Sequence, residues 1–298
     1  MCSFGTQLKK TMLIFENTAE LQKYLKSERH QQRSIGFVPT MGALHQGHLS
    51  LIEKAKENND IVVCSIFVNP TQFNNTQDLA KYPRTISQDQ ELLAKQGCDV
   101  LFLPEKKTMY PNPTTTTFSF GNLENTMEGA HRAGHFNGVA LIVSKLFHLV
   151  QPNQAYFGQK DLQQYLIIRQ FSQDLFFNTE VICCPIVREK DGLAMSSRNL
   201  RLTPSERTIA PKIHEALQLA KQSLLAGKSV HNTKNTIQNF FTDLKVLDLE
   251  YFEIVKSITL EPIDYVDDSF QISLCIAAFL GEVRLIDNVF LYNHKGVF

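Results

Sequence analysis

The sequence predicts an α/β protein, a parallel sheet with helices on both faces, followed by a smaller α+β unit. Three observations carry that expectation. Up to about residue 187, apolar β-branched runs alternate with helix-like stretches, the pattern of a sheet covered on both sides. Near Thr203 the texture changes to long helical periodicity and then to strands only. The polar loops best suited to a ligand all follow strand-like runs, where an open parallel sheet places its binding crevice.

In chain order, residues 1–11 read as a disordered extension, because Met12 opens the first patterned segment. Strand-like runs fall at 35–38, 61–68, 99–103, 155–157 and 181–187, with helix-like stretches at 49–57, 86–95, 139–150 and 162–174. The tract 114–117, four threonines, reads as the start of a strand, and 74–88 as a polar flap between strand and helix. Thr203, Pro204 and Glu206 form a helix start, predicting a helix to about Ala226 with Gly227 beyond it. A second helix spans about 230–244, and three strands follow within 249–260, 269–280 and 282–291. The expected division is 12–187 for the larger unit and 188–298 for the smaller.

With 298 residues, 43% of them hydrophobic, the chain can build a substantial core. Lys and Arg number 30, as do Asp and Glu, so there is no basic excess of the kind a polynucleotide partner requires. Six cysteines (Cys2, Cys64, Cys98, Cys183, Cys184 and Cys275) follow no metal-binding spacing and read as free thiols of a reducing compartment. The best candidate for a membrane span, 138–150, is too short and contains Lys145 and His148, and no signal-peptide core is visible. These features predict a soluble, cytoplasmic protein.

Four loops carry candidate chemistry. In PTMGALHQGH, Pro39 closes a strand, Gly42 permits a tight turn and a helix opens near His45 and His48, which share a face at i, i+3. A helix N-terminus is an anion site, and Gly47 lets a ligand approach the backbone. Two surface histidines, or a zinc pair lacking further ligands, is the competing interpretation. In FVNPTQF, Asn69 and Gln72 offer amides that both donate and accept, as hydroxyl-bearing ligands require; Asn69 reads equally as a capping residue. In FGQKDLQQ, Lys160 can reach phosphates and Asp161 can accept from ribose hydroxyls, or simply complement the helix dipole. In DGLAMSSRN, two serines and Arg198 suit triphosphate oxygens. Together the four loops imply one nucleotide site with a polyphosphate.

These motifs, with EGAHRAGHFNGV and the late EVRLIDN, resemble the pantoate–β-alanine ligases over roughly residues 12–289. The two phosphate motifs are similar to the HIGH and KMSKS signatures of class I aminoacyl-tRNA synthetases, so the resemblance implies a Rossmann-like fold. It also implies condensation of ATP with (R)-pantoate to pantoyl adenylate and pyrophosphate, with Mg²⁺ on the phosphates. β-Alanine then attacks, releasing pantothenate and AMP.

Carried over by motif, the resemblance assigns ATP contacts to Met41, Gly42, Ala43, Leu44, His45, Gln46, Gly47 and His48. The second ATP segment is Gly158, Gln159, Lys160 and Asp161, with Val187 at adenine and Met195, Ser196, Ser197 and Arg198 over the β- and γ-phosphates. His48, His45, Lys160 and Arg198 are the implied catalytic set. Gln72 and Gln164, with Asn69 beside them, are the implied pantoate and β-alanine contacts. No protein-held metal ligand is assigned. Ala133 stands where the family more often has proline. A homodimer and a lid role for the C-terminal unit are further implications. The alternative is a related small-molecule nucleotidyltransferase, which would keep the HxxH loop and need no amine acceptor.

Overall fold

Short runs of Val, Ile, Leu and Phe pair in parallel to form the larger of two sheets in the computed structural model, which describes residues 11–292. Residues 1–10, most of the segment read as an extension, lie outside the described residues. The elements run β1 (Leu13–Phe15), α1 (Thr18–His30), β2 (Ile35–Thr40), α2 (Gln46–Asn58), β3 (Ile61–Ile66), α3 (Thr76–Lys81), α4 (Ile86–Gln96), β4 (Val100–Phe102), α5 (Lys106–Met109), α6 (Met127–His131) and α7 (His135–Val150). They continue with β5 (Gln154–Gly158), α8 (Leu162–Asp174), β6 (Glu180–Cys184), α9 (Pro204–Ile209), α10 (Lys212–Leu225), α11 (Val230–Leu244), β7 (Leu247–Lys256), β8 (Ile272–Leu280) and β9 (Val283–Phe290).

The parallel sheet has the order β1-β4-β3-β2-β5-β6. Every residue of β3 is buried, as a strand covered on both faces demands. From β2 the chain passes to β3 on one side, while β5 lies on the other, so the strand order reverses between β2 and β5. Their ladder covers just Gly36–Phe37 against Gln154–Ala155. Two residues on, Pro39 has no N–H to donate, and the strands part toward their carboxyl ends. That parting opens the crevice expected at a topological switch point.

Several boundaries differ from the sequence expectation for identifiable reasons. β1, three residues long, is too short to read as a strand-like run, and α1 carries too few apolar residues to read as periodic: it buries Leu21 and Leu25 and relies on Asn17, whose Oδ1 accepts the Ala19 N–H at 2.8 Å, for its start. β6 stops at Cys184 because Pro185 cannot extend the ladder. Pro211 divides the single helix expected after Thr203 into α9 and α10. The threonine tract is irregular rather than a strand, and the polar flap contains a helix, α3, capped by Asn75.

The second sheet is an antiparallel meander, β7-β8-β9. One face packs Ile254, Leu274 and Ile276 against Ile213, Leu217, Ile237 and Phe241 of α10 and α11. From the other, Cys275, Val255 and Tyr251 reach the core of the parallel sheet. The five described cysteines are free. Burial pushes their thiols up, to about 12 for Cys98 and Cys183. Among the described residues no helix is long and apolar enough to cross a membrane.

Candidate active site

A cleft of about 200 Å³ opens where β2 and β5 diverge. The turn after β2 reaches it through two consecutive left-handed residues, Gly42 (φ 83°) and Ala43 (φ 50°). A β-carbon at 42 would also stand 3.0 Å from Ile66 Cγ2, so crowding adds to the backbone's preference for glycine there. This irregular backbone cannot join a ladder, and a buried carboxylate satisfies it instead. Asp89 of α4, 1% exposed, accepts the Ala43 N–H at 2.9 Å and the Leu44 N–H at 2.8 Å. Sequence reading missed Asp89, because nothing in its neighbourhood signals a role in a loop more than forty positions away.

His45 and His48 then close the start of α2 as a reciprocal cap. The His45 Nδ1 accepts the Gly47 N–H at 3.2 Å, and the His48 Nδ1 accepts the His45 N–H at 3.3 Å. With both δ nitrogens accepting, the proton of each neutral ring resides on Nε2, and each side chain offers one Nε2–H donor. The rings lie 4.1 Å apart. Burial and then the Lys160 charge pull the His45 pKa down to about 4, and burial, His45 and Lys160 hold His48 well below the usual imidazole value. Both are neutral at pH 7.

This geometry modifies one local expectation and adds to another. The first turn of α2 is not an open row of unpaired N–H groups, because His45 itself occupies it: its carbonyl also accepts from His48 at 2.8 Å and Leu49 at 3.1 Å. Gly47, in turn, makes room for the His45 imidazole and also lines the cleft. A β-carbon there would come within 2.9 Å of His45 Cε1.

Across the crevice, the turn after β5 carries Lys160 and Asp161 into the same cleft, the Nζ lying 3.5 Å from the carboxylate. Asn288 of β9 pins this turn, donating from Nδ2 to the carbonyls of Gln159 at 2.9 Å and Lys160 at 3.1 Å. Arg188 grips the neighbouring Asp287 with two hydrogen bonds, at 2.6 and 3.0 Å. The late RLIDN motif therefore serves the site from the antiparallel sheet.

The third wall is the loop 195–198. Ser197 donates its hydroxyl proton to the Ala43 carbonyl at 2.9 Å, tying this loop to the first one and leaving that hydroxyl only acceptor capacity. The Ser196 hydroxyl accepts the Arg198 N–H at 3.3 Å and keeps its own proton to donate. Arg198 is ion-paired with Asp78 of α3 at 2.9 Å, as is Arg201 at 2.6 Å. Burial raises the Asp78 pKa, but the two guanidinium groups outweigh it and hold it below the usual carboxylate value.

Gln72 enters from the segment after β3. Asn69, 1% exposed, donates to Gln72 Oε1 at 3.0 Å and to the Gly138 carbonyl at 3.1 Å, while its Oδ1 accepts from Thr71 and Tyr110 at 3.0 and 2.7 Å. Every hydrogen-bonding position of Asn69 is thus used within the protein, and its side chain makes no cap. Its function in the fold is to orient Gln72, whose Nε2 also donates to Met41 Sδ at 3.2 Å.

Of the residues singled out in the sequence, Met41, His45, Gly47, His48, Asn69, Gln72, Gly158, Lys160, Asp161, Gln164, Val187 and 195–198 line this one cleft. Gly42, Ala43, Leu44, Gln46 and Gln159 do not line it: the first three build the turn held by Asp89, Gln46 opens α2, and Gln159 bonds Asn288 at 3.0 Å. Tyr82, 7% exposed, lines the cleft and was not foreseen.

Comparison with known proteins decides the family. The Pantoate-beta-alanine ligase family model matches residues 13–290. The chain belongs to the pantoate–β-alanine ligase family. It is 46% identical over 279 residues to the pantothenate synthetase of Cytophaga hutchinsonii, covering 93% of this chain and 99% of that one. Against the pantothenate synthetase of Phocaeicola vulgatus the identity is 49% over 287 residues, 96% and 100% of the two chains. The crystal structure of pantothenate synthetase from Thermus thermophilus superimposes with a TM-score of 0.88 at 41% identity, covering 94% of this chain and 100% of that chain. A Francisella tularensis pantoate–β-alanine ligase, solved with β,γ-ATP and β-alanine, matches with a TM-score of 0.79 at 39% identity, covering 94% and 98%. As a member of this ligase family, the chain shares its fold: a six-stranded parallel sheet with helices and a small antiparallel sheet.

Proposed function

We propose that the cleft between β2 and β5 joins (R)-pantoate to β-alanine through a pantoyl adenylate. The observation that carries this reading is the convergence of His48, Lys160 and Gln72, from three separate strand ends, on one crevice in a chain of this family. A pantoate carboxylate oxygen attacks the α-phosphorus of ATP, forming the P–O bond of the adenylate as the bond to pyrophosphate breaks. The amine of β-alanine then attacks the acyl carbon, forming the amide bond as AMP leaves and the amine gives up a proton.

The carboxylate is already a nucleophile, so the protein's work is to align two anions that repel each other. In this reading the Nε2–H groups of His45 and His48, the Lys160 ammonium and the Ser196 hydroxyl donate to phosphate oxygens. His48 acts as a neutral hydrogen-bond donor, because its burial disfavours an imidazolium acid. Asp161 accepts from the ribose, Val187 meets the adenine, and Gln72 and Gln164 hold pantoate. Arg198 compensates phosphate charge once it exchanges Asp78 for the nucleotide.

Among the described residues no group of three or more His, Cys, Asp or Glu side chains is placed to hold a metal. A Mg²⁺ ion in this cleft would draw its ligands from substrate phosphates and water, leaving Asp161 to the ribose. Bound there, the ion would neutralise phosphate charge.

We also read the chain as two units meeting near residue 187, the second a lid, and as a cytoplasmic homodimer. Family membership supports the dimer, and light scattering tests it.

The test is AMP formation with pantoate and β-alanine omitted in turn. Dependence on both is expected. Nucleotide retained in the product would favour the nucleotidyltransferase alternative, and AMP release without either acid would overturn the reading. Lys160→Ala should slow the reaction on the order of 10²–10³-fold, the usual cost of one donor to developing charge.

A further inference from the structure

Gln72 is held from two directions. Its side chain is oriented by Asn69 and Met41, and its main-chain carbonyl points away from the cleft into the first turn of α7. There it meets His135, 5% exposed, whose Nδ1 lies 2.7 Å from the oxygen. A carbonyl can only accept, so Nδ1 carries the proton. Nε2 is then the acceptor for Arg132 Nη1 at 3.1 Å, a group that can only donate. Both ring nitrogens are used in the neutral form, and burial, then Arg132, keep the ring in that form by lowering its pKa to about 4.

Behind His135 stands a chain of charges that ends in the other sheet. Arg132 lies 3.5 Å from Glu128. Glu128, 8% exposed, takes two hydrogen bonds from Arg284 of β9 at 2.7 and 2.8 Å and one from the Tyr251 hydroxyl of β7 at 2.8 Å. Arg284 continues to Glu250. Such a chain fixes geometry more surely than it adds stability, because each buried charge needs its neighbour. One turn into α7, a β-carbon at Gly138 would fall 2.3 Å from the Thr71 carbonyl oxygen and 2.7 Å from the Gln72 nitrogen. The helix backbone therefore lies directly on the 71–72 segment.

We propose that His135 is a positioning residue for the pantoate step: through its bond to the Gln72 carbonyl it sets the height of the Gln72 amide in the cleft, with the antiparallel sheet as its anchor through Arg132, Glu128 and Arg284. His135 does not line the cleft, although it shares a smaller adjoining cavity with Lys160, Asp161 and Gln164; in this proposal it acts through Gln72. The inference rests on the reading of Gln72 as a pantoate contact, and that reading is tested separately by Gln72→Ala.

Steady-state AMP formation by the full chain, with each substrate varied at saturating levels of the others, distinguishes the two. For His135→Ala the KM for pantoate should rise about tenfold, the scale of one buried hydrogen bond lost, while the KM for ATP changes less than twofold. His135→Asn sets an amide N–H near the former Nδ1 and should restore the pantoate KM. His135→Gln reaches the Nε2 position toward Arg132 and should not. This Asn–Gln comparison stands even where the alanine variant fails to fold. Rescue by Gln equal to rescue by Asn, or a parallel rise in the ATP KM, would make His135 a general structural residue and overturn the proposal. A raised pantoate KM in Gln72→Ala beside an unchanged one in His135→Ala would overturn it too, leaving the Gln72 reading intact. An unchanged pantoate KM in Gln72→Ala would overturn that reading, and this inference with it.

Discussion

Asp78 of α3 holds Arg198 of the loop 195–198 at 2.9 Å and, with its other oxygen, Arg201 at 2.6 Å. The arginine read as a phosphate ligand is thus already half of an ion pair across the cleft mouth. A second link, Lys81 to Glu282 at 2.6 Å, fastens the same helix to the antiparallel sheet.

In the proposed reading a nucleotide competes with Asp78 for Arg198. Asp78→Asn keeps the shape and removes the competing charge, so ATP should bind more tightly, by about 1.4–5-fold given the ~0.2–1 kcal/mol scale of part-exposed pairs. The gain should fade at high ionic strength, where such interactions are screened. Calorimetric titration with ATP at two salt concentrations checks this. Unchanged affinity at both would mean that Arg198 stays with Asp78 and that the phosphates are served by Lys160 and the histidines alone.

That competition was not legible in the sequence, although both partners lie in segments it singled out. Periodicity located the buried strands well, because β3 and residues 155–157 of β5 are buried on both faces and read as mainly apolar runs. It failed for α1, whose polar composition is offset by a cap, and at Pro211, where one residue overrides a continuous pattern. Within the site, the residue types were readable and their internal bonding was not. Asn69, Ser197 and His45 each looked like a group offered to a ligand, yet each spends most of its capacity on the protein. Asp89 leaves no local signature, and although Asn288 and His135 lie in the singled-out segments EVRLIDN and EGAHRAGHFNGV, neither segment shows which loop it holds, since that is set by topology.

Gly47→Ala separates stability from activity. Alanine is about 1 kcal/mol better than glycine within a helix, whereas displacing the His45 ring from its cap costs roughly 0.5–2 kcal/mol. The two nearly cancel, so the urea midpoint should move little. The added methyl, 2.9 Å from His45 Cε1, must nevertheless turn the ring and its Nε2–H away from its present direction. A fall of about tenfold or more in kcat/KM for ATP, on the scale of a misdirected donor, is expected alongside a near-normal midpoint. Full activity would show that His45 serves the fold alone.

Asp89 offers the sharpest contrast between two substitutions. The turn from Gly42 to Leu44 has left-handed backbone at two successive residues, and its N–H groups at 43 and 44 find their acceptor in this carboxylate, which Thr85 also contacts at 3.2 Å. Asp89→Ala leaves both donors buried without a partner, at roughly 1–3 kcal/mol each. Asp89→Asn keeps one acceptor oxygen and turns an NH₂ group toward the other donor, so about half that loss should remain. Activity should fall in the same order, because Met41 and His45 flank the turn and Ser197 is tied to its Ala43 carbonyl. Denaturant unfolding beside kcat/KM for ATP measures both quantities on the same samples. Equal stability of the two variants would mean that the turn keeps its shape without the second bond, and that the position of His45 is set by the capping of α2 rather than by Asp89.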